Sequence, residues 1–176
     1  MVLIIVILSV TAYLLGSIPT SLIIGKYFYN IDVRNYGSKN PGATNTLRIL
    51  GAKAAIPVLL IDVLKGFGAT QLAWFLINQH DYPFLHLKIL FGASAVIGHI
   101  FPLWANFKGG KGVATLTGVI FSLSPIAGLL CMLAFLLITY ISRFVSLASI
   151  VTSFLLPFIF YFILKERDLF LLIFAF

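Results

Sequence analysis

Val113 to Ser142 reads VATLTGVIFSLSPIAGLLCMLAFLLITYIS, a block without a charged residue. As one helix it would be about 45 Å long, well beyond a hydrocarbon core of about 30 Å. Pro125 follows Ser124 near the middle of the block, and proline is a natural helix break. The block therefore forms either two shorter helices, about Val113 to Ser124 and Ile126 to Ile141, or one tilted helix.

This choice decides where the following residues lie. Two helices return Arg143 and Ser146 to the side on which the block begins, whereas a single helix places them on the opposite side. Counting lysines and arginines does not choose between the two, because moving Arg143 inside moves Lys165 and Arg167 outside. The number of spans stays open on the residues alone.

The composition is that of a membrane protein. The 176 residues are 61% hydrophobic and 10% charged, whereas a soluble domain has roughly 25% charged residues. Three more blocks lack charge: Met1 to Gly25, Ile89 to Phe107 and Phe144 to Leu164. The first is too long for a cleavable signal and has no basic segment before it, so we expect a retained helix. The fold class is an all-α, polytopic membrane bundle, and 1–176 forms a single domain.

The net charge of +7 is concentrated in loops. Lys26 to Lys53 holds five lysines and arginines against one acid, Asp32. By the positive-inside tendency this stretch is cytoplasmic and the N-terminus is outside. The charge does not form a basic face on a soluble domain, which argues against a nucleic-acid partner.

The apolar blocks predict the helices. The first contains Gly16, Ser17 and Pro19, which allow close helix approach or a kink. Between the second and third helices we expect a short outer loop. The predicted segments outside the central block are helix 1 from about Val2 to Tyr27, helix 2 from about Ala54 to Ile77, the outer loop Asn78 to His86, helix 3 from about Leu87 to Ala105, and a later helix from about Val145 to Leu164.

A glycine-rich loop, FKGGKGVAT, lies at Phe107 to Thr115. Glycine allows backbone N–H groups to face an anion, and Lys108 and Lys111 add charge for a phosphate. The expected anion site uses these lysines together with Gly109, Gly110 and Gly112. A nucleotide triphosphatase is disfavoured, because Lys111 is followed by glycine instead of the Ser or Thr of a Walker motif. The alternative is a flexible basic loop that holds the cytoplasmic side of a membrane protein.

A second polar loop is GSKNPGATNTLRILG, from Gly37 to Gly51. Pro41 predicts a turn, and Arg48 is a bidentate donor. If the segment after Pro41 is helical, Thr44 and Arg48 share a face. The pocket is rich in donors and free of acids, so its natural ligand is phosphate. The candidate binding groups here are Gly37, Ser38, Asn40, Thr44, Asn45 and Arg48.

Asp62 and Lys65 lie three residues apart in helix 2 and can pair on one helical face. Charges at that depth face the bundle interior, and we favour a structural pair over direct catalysis. His99 is a further candidate for contact with substrate because it lies near the glycine loop. We predict no metal site, since the loops are poor in acids and His80 and His86 are far from any acid cluster.

Four strings in this order resemble the bacterial acyl-phosphate:glycerol-3-phosphate acyltransferases, integral membrane enzymes that begin phospholipid synthesis. The resemblance covers nearly the whole chain. The strings are GSKNPGATNTLR (Gly37 to Arg48), DVLKG (Asp62 to Gly66), GHIFPLWANFKGGKGVAT (Gly98 to Thr115) and RFVSLAS (Arg143 to Ser149).

The resemblance implies seven transmembrane helices, which favours the break at Pro125 over the five-helix alternative. It implies a bacterial plasma (inner) membrane location and a cytoplasm-facing site containing Ser38 and Arg48. Glycerol 3-phosphate would bind at Gly109 to Gly112 with Lys111, and Ser146 would line the site. The implied substrates are acyl phosphate and glycerol 3-phosphate, with membrane lipid around the helices, no cofactor and no obligate protein partner.

One feature departs from the family pattern. The family has a third cytoplasmic motif, with a histidine, an asparagine and a glutamate, after its last helix, and this sequence ends before it. The final residues, Leu169 to Phe176, are all apolar and would rise only about 12 Å as a helix. We therefore expect that the C-terminal end is missing and that the site is incomplete.

The residues are compatible with the implied reaction. The sequence lacks a GxSxG elbow and a histidine–acid dyad that would activate a serine. Acyl phosphate is already activated, so orientation and charge stabilisation by Ser38, Arg48 and Lys111 suffice. A small anion transporter or channel is the alternative function, and a non-catalytic membrane subunit is a third. A transporter would place its polar groups near the midplane, whereas these cluster in loops.

Overall fold

The computed structural model describes residues 1–77 and 83–175. Within these ranges the regular structure is helical. The helices are α1 Val2–Gly16, α2 Thr20–Tyr29, α3 Ala43–Leu50, α4 Ala52–Gln71, α5 Phe84–Ile100, α6 Val113–Leu123, α7 Pro125–Ser142, α8 Val145–Phe158 and α9 Leu169–Ala175.

Four helical segments in the described ranges are long and apolar enough to cross a membrane. They are Val2–Tyr29, Phe84–Ala105, Pro125–Ser142 and Val145–Ile163. The helix α4 carries buried charges, and α6 is a shorter apolar helix. An all-helical membrane protein is therefore confirmed, whereas the seven-span count and the outside N-terminus stay predictions.

The break at Pro125 is present. Helix α6 ends at Leu123 and α7 begins at Pro125, with Ser124 extended between them. The Ser124 hydroxyl accepts a hydrogen bond from the Ala127 N–H at 3.3 Å, which caps α7. Proline is favoured at this first helical position, because its missing N–H would have no partner there. The block therefore forms two helices, α6 and α7, and not one tilted helix.

The predicted first helix, about Val2 to Tyr27, is interrupted in the structure. The chain leaves the helical path at Ser17 to Pro19, between α1 and α2. Pro19 lacks the N–H that a continuing helix would use, and the Ile18 carbonyl accepts the Thr20 N–H at 3.0 Å instead of a helical partner. The second half, α2, ends at Tyr29 with Asn30 in the left-handed conformation. The kink residues noted in the sequence mark this interruption.

Other boundaries also differ from the predictions. Helix α5 begins at Phe84, so His86 lies in a helix and not in an outer loop. The predicted loop residues 78–82, including His80, lie outside the described residues. Helix α4 continues as a 3₁₀ turn at Leu72–Leu76, α5 is followed by one at Leu103–Ala105, and α8 continues as a π-helical segment at Ile159–Ile163.

Helices α4 and α6 are in close contact through glycine. A Cβ on Gly66 would collide with the Thr115 carbonyl, and one on Gly118 would collide with the Val63 carbonyl. Further along the same two helices, the Thr70 hydroxyl donates to the Ser122 hydroxyl at 2.5 Å. The absence of side chains at the two glycines allows the backbones to approach.

Helices α1 and α5 repeat this arrangement. Gly16 lies against the Ala95 backbone, and Gly98 lies against the Tyr13 backbone. The Tyr13 hydroxyl donates to the Phe101 carbonyl at 2.8 Å, beyond the end of α5. These contacts fix the end of α5 relative to the interruption in the first span. That end of the bundle carries both polar loops.

Candidate active site

Asn45 organises the polar segment Gly37 to Gly51. Its side chain is 1% exposed. The Oδ1 atom accepts the Ser38 backbone N–H at 2.9 Å, and the Nδ2 atom donates to the Val33 carbonyl at 3.0 Å and the Tyr36 carbonyl at 3.2 Å. Because its amide is used within the loop, Asn45 holds the loop in shape, which differs from the predicted contact with substrate.

Ser38 and Arg48 lie on either side of this contact. Gly37 has φ +58°, a left-handed conformation suited to glycine, and a Cβ there would lie 3.5 Å from the Arg48 Cδ. The Ser38 N–H is taken by Asn45, so the hydroxyl is the group that Ser38 offers. Ser38, Thr44 and Arg48 are exposed, and Asn40 is half-buried. The segment after Pro41 is helical, as α3, and this prediction is confirmed.

An ion pair lies just before the segment Gly37 to Gly51. Arg34 Nη2 lies 2.7 Å from Asp32 Oδ2, and Arg34 Nε donates to Asp32 Oδ1 at 3.0 Å. The hydrogen-bonded Arg34 guanidinium lowers the pKa of Asp32 from 3.8 to about 2. The one acid of this cationic stretch is therefore paired and ionised.

The glycine loop is tied back onto the end of α5. The Gly110 N–H donates to the His99 carbonyl and the Gly109 N–H donates to the Ile100 carbonyl, both at 3.1 Å. Neither glycine has room for a Cβ, which would collide with the His99 carbonyl at Gly109 and with the His99 Nε2 at Gly110. The expectation that these two amides face an anion is therefore wrong, because α5 occupies them.

The amides available to an anion lie one step further along, at the start of α6. Gly112, with φ +79°, is the N-cap residue and has no side chain to cap the helix. The first helical bond is from the Leu116 N–H to the Gly112 carbonyl at 2.8 Å, which leaves the amides of the first turn, Val113 to Thr115, without helical partners. Lys111, immediately before this turn, is exposed, as is Lys108. A helix start flanked by lysines favours a negative charge.

The two loops are adjacent. Leu22 of α2 and Val33, which precedes the Gly37 to Gly51 segment, form one buried apolar cluster with Ala105, two residues before the glycine loop. Pro41 also lines a cavity together with Lys108, Gly109 and Gly110. Segments remote in sequence therefore meet at one end of the bundle.

Beneath the glycine loop lies a buried charged cluster. Lys65 Nζ lies 2.8 Å from Asp62 Oδ1, with side chains 5% and 3% exposed. The Thr20 hydroxyl donates to Asp62 Oδ1 at 2.9 Å, and Lys65 donates to the Ile18 carbonyl at 3.1 Å. His99 Nδ1 lies 3.7 Å from Asp62 Oδ1. The predicted pairing of Asp62 with Lys65 is present.

Some of the predicted site residues line the cavity and others do not. Asp62, Lys65 and His99 line it together with Lys108, Gly109 and Gly110, whereas Ser38, Arg48 and Lys111 lie outside its lining. Ser146 is exposed in the first turn of α8. The lining from Ile18 to Leu22 was not predicted; the signal for it in the sequence is Pro19, which interrupts the first span.

Metal ligands are not gathered in the part of the chain that the structure describes. No group of three His, Cys, Asp or Glu side chains in residues 1–77 and 83–175 could hold a metal ion. His86 lies 2.9 Å from Asp168 Oδ2, in a simple pair. The expected absence of a metal site stays a prediction.

The fold defines an integral membrane protein in which two loops that carry lysine and arginine meet at one end of the helical bundle. A family model described as glycerol-3-phosphate acyltransferase matches residues 6–176. The chain belongs to the glycerol-3-phosphate acyltransferase family.

Relatives and solved structures agree with this assignment. A glycerol-3-phosphate acyltransferase of Listeria welshimeri is 47% identical over 148 residues, covering 84% of this chain and 73% of the relative. One of Fusobacterium nucleatum is 45% identical over 163 residues, covering 93% and 81%. The crystal structure of PlsY (YgiH), an integral membrane glycerol 3-phosphate acyltransferase, in its glycerol 3-phosphate form has TM-score 0.85 and 37% identity, covering 97% of this chain and 82% of that one. Its lysophosphatidic acid form has TM-score 0.81 and 35% identity, with the same coverage.

Proposed function

We propose that this protein transfers an acyl group from acyl phosphate to the 1-hydroxyl of glycerol 3-phosphate, releasing phosphate. The product is 1-acylglycerol 3-phosphate, a lysophosphatidic acid, and the reaction begins bacterial phospholipid synthesis at the cytoplasmic face of the plasma membrane. The observation that carries the proposal is the meeting of two cationic loops at one end of an apolar bundle, where Pro41 and Lys108 line one cavity.

The donor supplies its own activation. Phosphate is a good leaving group, so the protein needs to orient the two substrates and stabilise charge on the reacting oxygens. We assign Ser38 and Arg48 to the acyl phosphate, because they lie side by side around Gly37 and a guanidinium binds phosphate oxygens in a bidentate manner.

In this proposal glycerol 3-phosphate binds at the glycine loop. Its phosphate lies at the start of α6, where Lys108 and Lys111 provide charge and the first-turn amides provide donors. Asn40 and Thr44, from the segment Gly37 to Gly51, add polar groups at the edge of the site. Ser146 lines the site from α8. Gly112 allows the chain to enter α6 with a positive φ.

The hydroxyl proton of glycerol 3-phosphate passes to a phosphate oxygen of the bound substrates. The exposed residues assigned to the site, Ser38, Arg48 and Lys111, include no carboxylate or imidazole base. The acyl chain lies along exposed apolar helix surfaces that face the lipid. A pH–rate profile governed by a group absent from both substrates contradicts this proton route.

The experiment incubates purified protein with palmitoyl phosphate and labelled glycerol 3-phosphate, and in parallel with acyl-CoA or acyl carrier protein donors. Transfer from palmitoyl phosphate alone supports the proposal, whereas equal use of a thioester contradicts the donor assignment. Ser38→Ala and Arg48→Ala should each abolish transfer while the protein remains extractable and folded. Lys53→Ala, a change at an exposed lysine where α4 begins, is the matched control and should retain transfer.

A further inference from the structure

The presence of a buried ion pair between Asp62 and Lys65 is poorly explained by stability alone. Both side chains are almost completely buried in a membrane protein, and their separation is 2.8 Å. Taking two charges out of water costs several kcal/mol per ion, and well-packed apolar residues in place of such a pair are often neutral or stabilising. Stability alone is therefore a weak explanation for the pair.

The pair joins segments that the chain keeps far apart. Asp62 accepts from Thr20 at the start of α2 at 2.9 Å, and Lys65 donates to the Ile18 carbonyl at the helix interruption at 3.1 Å. Asp62 also faces His99 Nδ1 at 3.7 Å. The pair thus ties both sides of the break in the first span to α4, and its carboxylate packs beside the imidazole at the end of α5.

His99 in turn sets the position of the glycine loop. Its carbonyl accepts the Gly110 N–H at 3.1 Å. Its ring lies against Gly110 so closely that a Cβ there would collide with Nε2. A change in the imidazole position therefore alters the packing against Gly110, the residue before Lys111.

The charges of Asp62 and Lys65 are compatible with an anion site at the glycine loop. A lone carboxylate beneath an anion site would repel a phosphate, but Lys65 neutralises it at direct contact. Asp62, Lys65, His99 and Lys108 line one cavity, so an uncompensated charge would act on the phosphate through a short, poorly screened path.

We infer that Asp62 is a positioning residue for glycerol 3-phosphate: held by Lys65 and Thr20, it packs beside the His99 ring, and through the contact of that ring with Gly110 it supports the glycine loop that carries Lys108 and Lys111. This inference rests on the proposed function. It goes beyond that function in assigning a substrate-selective role to a buried pair that touches neither substrate.

The test is a double-substitution series with Asp62→Asn, Lys65→Met and the combined Asp62→Leu and Lys65→Met variant. For Asp62→Asn we expect the KM for glycerol 3-phosphate to rise about tenfold, while the KM for palmitoyl phosphate changes less than about twofold. The combined variant should recover thermal stability in detergent, because no unpaired charge remains, and should keep the raised KM.

Ser122→Ala is the matched control. Ser122 is a buried polar residue in the same α4–α6 contact, bonded to Thr70 at 2.5 Å and away from the glycine loop. It should leave both KM values unchanged even where it lowers the melting temperature. Recovery of the wild-type KM together with stability in the combined variant overturns the inference, as does an equal change of both KM values in Asp62→Asn.

Direct binding separates this inference from the proposed function. Absence of acyl transfer by the wild-type protein defeats the proposed function alone. Calorimetric affinity for glycerol 3-phosphate then decides the positioning role: about tenfold weaker binding by Asp62→Asn supports it, and equal binding by both proteins overturns it.

Discussion

The buried Asn45 amide oxygen accepts the backbone N–H of Ser38 at 2.9 Å. The other end of the same amide donates to two carbonyls of the preceding turn, at Val33 and Tyr36. A single side chain thus closes a loop whose backbone has positive φ at Gly37 and Lys39. The orientation of the Ser38 hydroxyl depends on this closure.

Asn45→Ala should therefore impair acyl transfer by displacing Ser38, although Asn45 itself is not assigned a contact with substrate. We expect kcat/KM to fall about a hundredfold, since a displacement of about 1 Å in a reacting group has that effect. The matched control is Thr46→Val: Thr46 is equally buried, and its hydroxyl bonds only to the Gly42 carbonyl of its own helix, at 3.0 Å. Equal losses of kcat/KM in the two variants, measured with palmitoyl phosphate, would show that Asn45 has no special part in the site.

Lys111 supplies charge at the start of α6, and its removal should weaken glycerol 3-phosphate binding. Lys111→Met should raise the KM for glycerol 3-phosphate about tenfold or more, with a smaller effect at high ionic strength because salt screens the wild-type attraction. Lys53→Met removes an exposed lysine where α4 begins and should leave the KM unchanged. Steady-state kinetics at two salt concentrations measures the effect; an unchanged KM in Lys111→Met would contradict the placement of the phosphate.

The sequence predicted the membrane class, because uninterrupted apolar blocks are a local feature. It marked Pro125, a residue without an N–H, as a natural break, and the family resemblance favoured two helices there. It also predicted the pairing of Asp62 with Lys65, because a spacing of three residues fixes their common face. These conclusions required no knowledge of which helices are neighbours.

The roles of Gly109 and Gly110 could not be predicted in this way. Glycines beside lysines indicate an anion site, but the N–H groups of these two donate to α5 carbonyls. Whether an amide is free depends on the tertiary contact of the loop with His99, and a single sequence contains no signal for that contact. The same holds for Thr20, whose bond to Asp62 spans 42 residues.

Gly66 should tolerate no side chain, since a Cβ would collide with the Thr115 carbonyl where α4 crosses α6. We expect Gly66→Ala to destabilise the fold by about 1–3 kcal/mol through the forced separation of the helices. Gly68→Ala is the control, because no atom lies within 4 Å of a Cβ at that position and alanine is the better helix former. Thermal unfolding in detergent should separate the two variants; a melting temperature of Gly66→Ala at or above that of Gly68→Ala would contradict the crossing.

Asp32 should contribute stability that depends on pH in a defined direction. The hydrogen-bonded Arg34 guanidinium, followed by smaller contributions that include Lys26, lowers the pKa of Asp32 from 3.8 to about 2 in the folded protein. Because the folded pKa lies below the unfolded one, the contribution is fully present above about pH 4 and is lost as the pH falls through about 2.

Asp32→Asn should therefore lower the melting temperature in nonionic detergent by a few degrees at neutral pH, as expected for the loss of about 1 kcal/mol. The difference from wild type should shrink between about pH 4 and pH 2. Arg34→Met should reproduce most of the effect and Lys26→Met little of it, since Lys26 Nζ is 3.6 Å from Asp32 Oδ2 with its side chain 55% exposed. A difference that grows on acidification, or a larger effect from Lys26→Met than from Arg34→Met, would show that the Arg34 pair does not hold this loop.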